Sequence, residues 1–130
     1  KLKRQIGILD SQDALYGHKA YDLASLIDDV RLKTSLKLKN SIYNYYLYLN
    51  EKKINKKYFR NDFEILSVLR NLKIIGIFTR LAIRDKKKKY LKLIPHAWKL
   101  IENRINNNII FADLKSYLDD SFSIKIRMKK

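Results

Sequence analysis

The chain contains no cysteine. Within it, disulfides, thiolate metal ligands and cysteine nucleophiles are therefore excluded. Histidine is almost as scarce, with only His18 and His96, so a multi-histidine metal site is excluded as well. There is one proline, Pro95, and there are three glycines, which leaves long stretches without a helix breaker. The longest apolar run that matters, Ile74-Ile75-Gly76-Ile77-Phe78, falls far short of the ~20 residues that span a bilayer. Methionine occurs once, at Met128, and the sequence begins at Lys1. A reading frame normally opens on methionine, so the chain is expected to be a piece of a longer protein whose beginning lies upstream.

What is present describes a folded domain. The chain has 130 residues, 46% hydrophobic and 12% aromatic, which suits one domain with a modest core and argues against disorder. Acidic residues are few: 13 Asp and Glu stand against 29 Lys and Arg, a net charge of +16. Such an excess attracts polyanions. The cations, however, are spread along the whole chain, in a composition crowded with Lys, Ile, Asn and Tyr. A general drift in composition that places lysine at solvated positions gives the same pattern. A basic module for nucleic acid or another polyanion is therefore the second reading and not the first.

Hydrophobic spacing divides the chain into elements. Gln5 to Asp10 is a short apolar run ending in a carboxylate and predicts a strand. Ser11 to His18 reads as a loop. Ala20, Leu23, Ala24, Ile27 and Val30 recur at helical spacing, predicting a helix from Ala20 to Arg31. Leu36 to Leu49 is a second helix, and Glu51 to Lys57 a polar break. Tyr58 to about Lys86 reads as one long helix, apolar over so much of its surface that burial is expected. Arg70, Lys73, Arg80 and Arg84 fall within about 80° on its wheel. Solvent, or pairing with Asp22, Asp28, Asp29 or Asp85, is the plain account of that stripe. A further helix covers Tyr90 to Asn106, with Ile94, Ala97, Trp98, Ile101 and Ile105 on one face and a break expected at Ile94-Pro95. Trp98 is expected in the core, Lys86 to Lys89 at a solvated helix end, and His18 and His96 in surface or capping roles. A short helix from Ala112 to about Leu118 and a frayed basic tail, 121–130, complete the chain.

The strongest local feature is Ile6-Gly7-Ile8-Leu9-Asp10-Ser11-Gln12-Asp13-Ala14. A carboxylate just past a buried strand sits on a rigid support at the mouth of a cleft, which is one way a magnesium ligand is presented. An Asp ending a strand is also a common turn residue, and the motif alone leaves both readings open.

Resemblance adds weight to the first. Gly7 to Leu15, followed by Gly17-His18-Lys19-Ala20-Tyr21-Asp22-Leu23-Ala24-Ser25-Leu26, resembles the C-terminal lobe of aminoglycoside phosphotransferase-type small-molecule kinases. The block Arg70 to Asp85, with Tyr90-Leu91-Lys92-Leu93-Ile94-Pro95, resembles the bacterial kinases that phosphorylate N-acetylmuramate and N-acetylglucosamine. The likeness runs over roughly residues 5 to 120. It implies a mainly α fold: the helical C-terminal lobe of a protein-kinase-like fold, residues 1–120, with a short strand or hairpin remnant at its start. It implies an ATP-dependent phosphotransferase of the cytoplasm with ATP and Mg²⁺ as cofactors, a cell-wall amino sugar as acceptor, and a place in peptidoglycan recycling. Asp10 stands where these kinases hold the metal bridging the ATP phosphates. Asp22 matches a carboxylate that braces the catalytic loop. Gln12 and Asp13 are candidates for the acceptor pocket, as are Arg70 and Lys73, which could meet the lactyl carboxylate of N-acetylmuramate.

Two positions depart from the pattern. Ser11 replaces the usual aromatic after the metal residue, and Lys19 replaces the proline before Tyr21-Asp22. The His-x-Asp-x-x-x-x-Asn catalytic string is absent: His18 is followed by Ala20, and His96 by Trp98, where the Asp belongs. The glycine-rich loop and phosphate-binding lysine are absent too. The base and most ATP contacts are therefore expected upstream, and the chain alone is expected to be inactive.

Overall fold

A computed structural model describes residues 16–128. The strand expected at Gln5 to Asp10 lies outside them. Among the described residues the structure is helical, with no strand: α1 (Ala20–Ile27), α2 (Leu36–Leu49), α3 (Lys56–Ile83), α4 (Ile94–Ile105), α5 (Ala112–Ser121) and α6 (Ile124–Arg127). Turns of 3-10 helix at Lys88–Leu93 and Ile109–Phe111 lead into α4 and α5.

Three of the starts have a local cause. The Ser35 side chain accepts from the Leu38 amide at the head of α2. The Asn55 side chain accepts from Lys57 and Tyr58 at the head of α3. These satisfy donors that the first helical turn leaves unpaired. Pro95 occupies the first turn of α4, where a missing N–H costs no intrahelical bond. The break expected at Ile94-Pro95 is not seen: the 3-10 turn passes directly into α4 through Leu93, whose angles (φ −92°, ψ −17°) are right-handed helical. Leu93 caps α4, and Ile94 itself has helical angles (φ −58°, ψ −45°).

The 28-residue α3 is the axis, and α1, α4 and the 3-10 turn before α4 pack along it. Ala20, Leu23, Ala24 and Ile27 of α1 meet Tyr43 of α2 and Phe59 and Phe63 of α3. Val68 meets Trp98, Ile101 and Ile105 of α4, with Phe111 and Leu118 beyond. Val30, Phe78, Ala97 and Leu100 form a third cluster. The inward stripes predicted for α1 and α4 are thus the observed ones. The burial expected all round α3 is not: Leu69 is 55% and Ile83 68% exposed, because the described helices cover only part of its circumference.

Two ends differ from expectation. The first helix stops at Ile27 and not Arg31, with Asp28 as its C-cap and Asp29 accepting from the Arg31 amide at 2.9 Å. The tail is not frayed through residue 128. Arg127 is buried and donates to the Leu118 and Phe122 carbonyls at 2.7 and 2.8 Å. It pairs with Asp119 and Glu102 and lies 5.0 Å from the Trp98 ring centroid. Partners on α4 and α5 hold the guanidinium, and α6 comes with it.

Candidate functional site

Of the residues singled out in the sequence, Asp10, Gln12 and Asp13 lie outside the described residues. Asp22 is exposed in the first turn of α1. The N-terminal end of α1 is anchored to α3 and α2. His18 Nδ1 accepts from the Ala20 amide at 3.2 Å, and its Nε2 lies 3.3 Å from Asp62. The imidazole stacks against Phe59, and the Tyr46 hydroxyl donates to the Lys19 carbonyl. His18 therefore has the capping role expected of it.

The cationic stripe of α3 divides. Arg70 donates to the Asp28 carbonyl at 3.3 Å, at the C-terminal end of α1, where a helix presents unpaired carbonyls. Arg84 pairs with Asp85. Lys73 and Arg80 are exposed. Arg80 and Arg84 border a shallow groove of about 570 Å³ that also takes in Gly76, Ile83 and Phe122. The structure thus brings Arg70 to Asp28, and leaves Lys73 and Arg80 in solvent.

The main polar feature of the interior was not read from the sequence. Asp28 is 1% exposed. Its carboxylate accepts from Lys39 at 2.8 Å, Ser67 at 2.6 Å and Arg104 at 2.9 Å. One carboxylate thereby ties the end of α1 to α2, α3 and α4. Burial alone would raise its pKa, but Arg104, Lys39 and Ser67 outweigh that and hold it below the usual carboxylate range. A second node lies beside it. Glu64 pairs with Arg60 and accepts from Asn108 at 2.8 Å, while Arg60 lies over the Tyr43 ring. Burial pushes the Tyr43 hydroxyl up. A signal for the first node did exist. Asp28 follows Ala24 by four residues, Ser67 and Asn71 follow Phe63 at steps of four, and Arg104 follows Ala97 by seven, so all fall beside or on an inward stripe.

These nodes form one wall of a cleft of about 850 Å³. The C-terminal end of α1, the loop after it, α2 and α4 surround it, and Val30, Phe63, Leu93, Pro95 and Leu100 supply its apolar lining. Seven cations and two carboxylates face it. Both carboxylates, Asp28 and Glu64, are already engaged. Lys33, Lys92 and Lys99 have no ion-pair partner among the described residues. His96 also lines the cleft, and its Nε2 is buried with no hydrogen-bond partner among them. Burial first, then Lys39, Lys33 and Lys99, lower the His96 pKa against the pull of Asp28. A neutral imidazole amid ammonium groups marks a positive field.

No group of three or more His, Asp or Glu able to hold a metal occurs among the described residues. No described helix is long and apolar enough to cross a membrane.

No protein-family model matches the chain. Curated relatives do. The sequence is 30% identical over 123 residues to an N-acetylmuramate/N-acetylglucosamine kinase of Caulobacter vibrioides, covering 95% of this chain and 33% of that protein. It is 30% identical over 113 residues to the kinase of the same name from Pseudomonas putida, covering 83% of this chain and 33% of that protein. Against the kinase so named from Neisseria meningitidis serogroup B it is 38% identical over 95 residues, covering 68% of this chain and 28% of that protein. The chain spans about a third of the length of the curated relatives it matches.

Proposed function

We propose that the chain is the C-terminal helical part of an ATP-dependent small-molecule kinase that phosphorylates a cell-wall amino sugar, N-acetylmuramate or N-acetylglucosamine, on a hydroxyl. The observation that carries this reading is the similarity, over 95% of the chain, to the N-acetylmuramate/N-acetylglucosamine kinase of Caulobacter vibrioides. The stretch from Asp10 to Asp22 and the block from Arg70 to Pro95 lie within it. The helical architecture of residues 16–128 is compatible with the C-terminal lobe of a kinase-like fold.

In this reading Asp10 holds magnesium against the ATP phosphates. Bound there, the ion would neutralise charge on the transferring phosphoryl group. Asp22 braces the catalytic loop, which belongs to the rest of the protein together with the general base and the nucleotide loop. Gln12 and Asp13 line the acceptor pocket. Arg70 is already committed to the end of α1, so Lys73 is the better candidate for the lactyl carboxylate of an N-acetylmuramate acceptor. The reading places the protein in the cytoplasm, in the recycling of cell-wall sugars.

Replacing Asp10 tests the assignment. In the full-length protein Asp10→Asn should leave the fold intact and lower kcat at saturating ATP and Mg²⁺ by about a hundredfold or more, since a neutral amide binds the ion weakly. Turnover within a few-fold of wild type would remove Asp10 from the metal site.

The net charge of +16 supports a second reading, a basic helical module that binds nucleic acid or another polyanion. It leaves the strand-and-Asp motif unexplained. It requires oligonucleotide binding whose affinity falls steeply with salt in a protein that transfers no phosphate to sugars.

A further inference from the structure

We propose that the cleft between α1, α2 and α4 binds a compact anion carrying a diphosphate group. Its charge is arranged, not scattered. Lys33 enters from the loop after α1, Lys39 from α2, Lys92 from the 3-10 turn and Lys99 and Arg104 from α4. Four separate elements thus direct cations into one concavity.

Folding alone does not require this arrangement. Asp28 is already engaged by both Lys39 and Arg104, so that node carries surplus positive charge before Lys33, Lys92 and Lys99 are counted. Grouping like charges beside an apolar wall raises the local potential and opposes the compact state. A multiply charged anion relieves that repulsion. Lysine meets phosphate as a point charge, so three unpaired ammonium groups suit a ligand with several phosphate oxygens better than a lone carboxylate. The volume, about 850 Å³, lies within the roughly 300–1,000 Å³ of small-molecule sites. A walled cleft suits a compact ligand, whereas an extended nucleic-acid backbone needs an open track of cations.

His96 supplies an internal reporter. Its ring is held toward the neutral form by burial and by Lys39, Lys33 and Lys99, with Asp28 opposing. The same cleft also presents Lys92 and Arg104. An anion settling among these cations offsets their field and raises the His96 pKa.

The test uses the full-length protein and inorganic pyrophosphate, titrated calorimetrically at constant ionic strength. Lys33 and Lys99 are exposed, so Lys33→Gln with Lys99→Gln should not disturb folding. Lys52 and Lys53, in the loop before α3, are exposed and do not line the cleft, so Lys52→Gln with Lys53→Gln removes the same two charges and controls for net charge. The expected result is saturable binding that the double variant weakens about tenfold or more and the Lys52→Gln, Lys53→Gln control changes less than about twofold. The His96 resonance, identified by its loss in His96→Gln, should titrate about half a unit or more higher with pyrophosphate bound. Equal weakening in the control and the double variant would overturn the proposal. So would binding untouched by the double variant, which would place pyrophosphate at another site such as the nucleotide site of the proposed kinase. Oligonucleotide binding with no saturable pyrophosphate site would overturn it too.

Discussion

Asp28 is ionised in the interior because every polar atom it needs arrives with it. Two cations and a hydroxyl surround the carboxylate, and Arg70 takes the carbonyl of the same residue. Removing the charge while keeping the shape leaves Lys39 and Arg104, 13% and 16% exposed, facing each other without an anion. Asp28→Asn should therefore destabilise the protein by about 3 kcal/mol at pH 7, as for a broken buried ion pair, read by urea denaturation. The folded-state pKa lies below the ordinary value of an Asp side chain. The stabilisation is thus fully present above about pH 4 and is lost as pH falls through the lower folded value. The gap between wild type and variant should persist down to about pH 4 and narrow below it. An unchanged gap at pH 2, or none at pH 7, would show that the carboxylate does not hold the four helices together. The individual polar residues sat on apolar stripes and were legible as anomalies. Their pairing was not, because Asp28 and Arg104 are 76 positions apart and helical spacing relates only near neighbours.

At the scale of elements, periodicity served well where a stripe was long and caps were local. The second helix, Leu36–Leu49, is observed with the bounds expected, since Ser35 and its apolar spacing both act within a few residues. Early termination of α1 was hidden because Val30 continues the apolar spacing while the backbone has already turned at Asp28. The fate of α6 was hidden because Arg127 is charged and its partners lie on other helices. The end of α3 shows a local cost. Lys86 has φ 57°, a left-handed conformation disfavoured for any residue with a Cβ, and the Lys87 amide closes the reversal on the Leu81 carbonyl at 3.0 Å. Lys86→Gly should stabilise the protein by about 0.5–1 kcal/mol, the removed strain exceeding the added freedom of the unfolded chain. The same change at Lys89, within the 3-10 turn, should not. Thermal melts of the two variants compare them directly, and destabilisation by Lys86→Gly would contradict the backbone geometry at this turn.

For the whole molecule, composition told apart a folded domain from a disordered one, but not its chemistry. The candidate metal residue and part of the acceptor pocket, Asp10, Gln12 and Asp13, lie outside the described residues. The cleft that is described was invisible in sequence, since its cations come from five elements. What ties the chain to phosphoryl transfer is similarity to kinases of which it spans about a third. The full-length protein, given ATP, Mg²⁺ and either N-acetylmuramate or N-acetylglucosamine, is the direct test, with the products followed by phosphorus NMR. The account predicts ADP and a new sugar phosphate resonance with at least one of the two sugars, both abolished by Asp10→Asn in a protein that still folds. A folded protein that forms no sugar phosphate from either acceptor, while binding oligonucleotides in a salt-dependent manner, would contradict it.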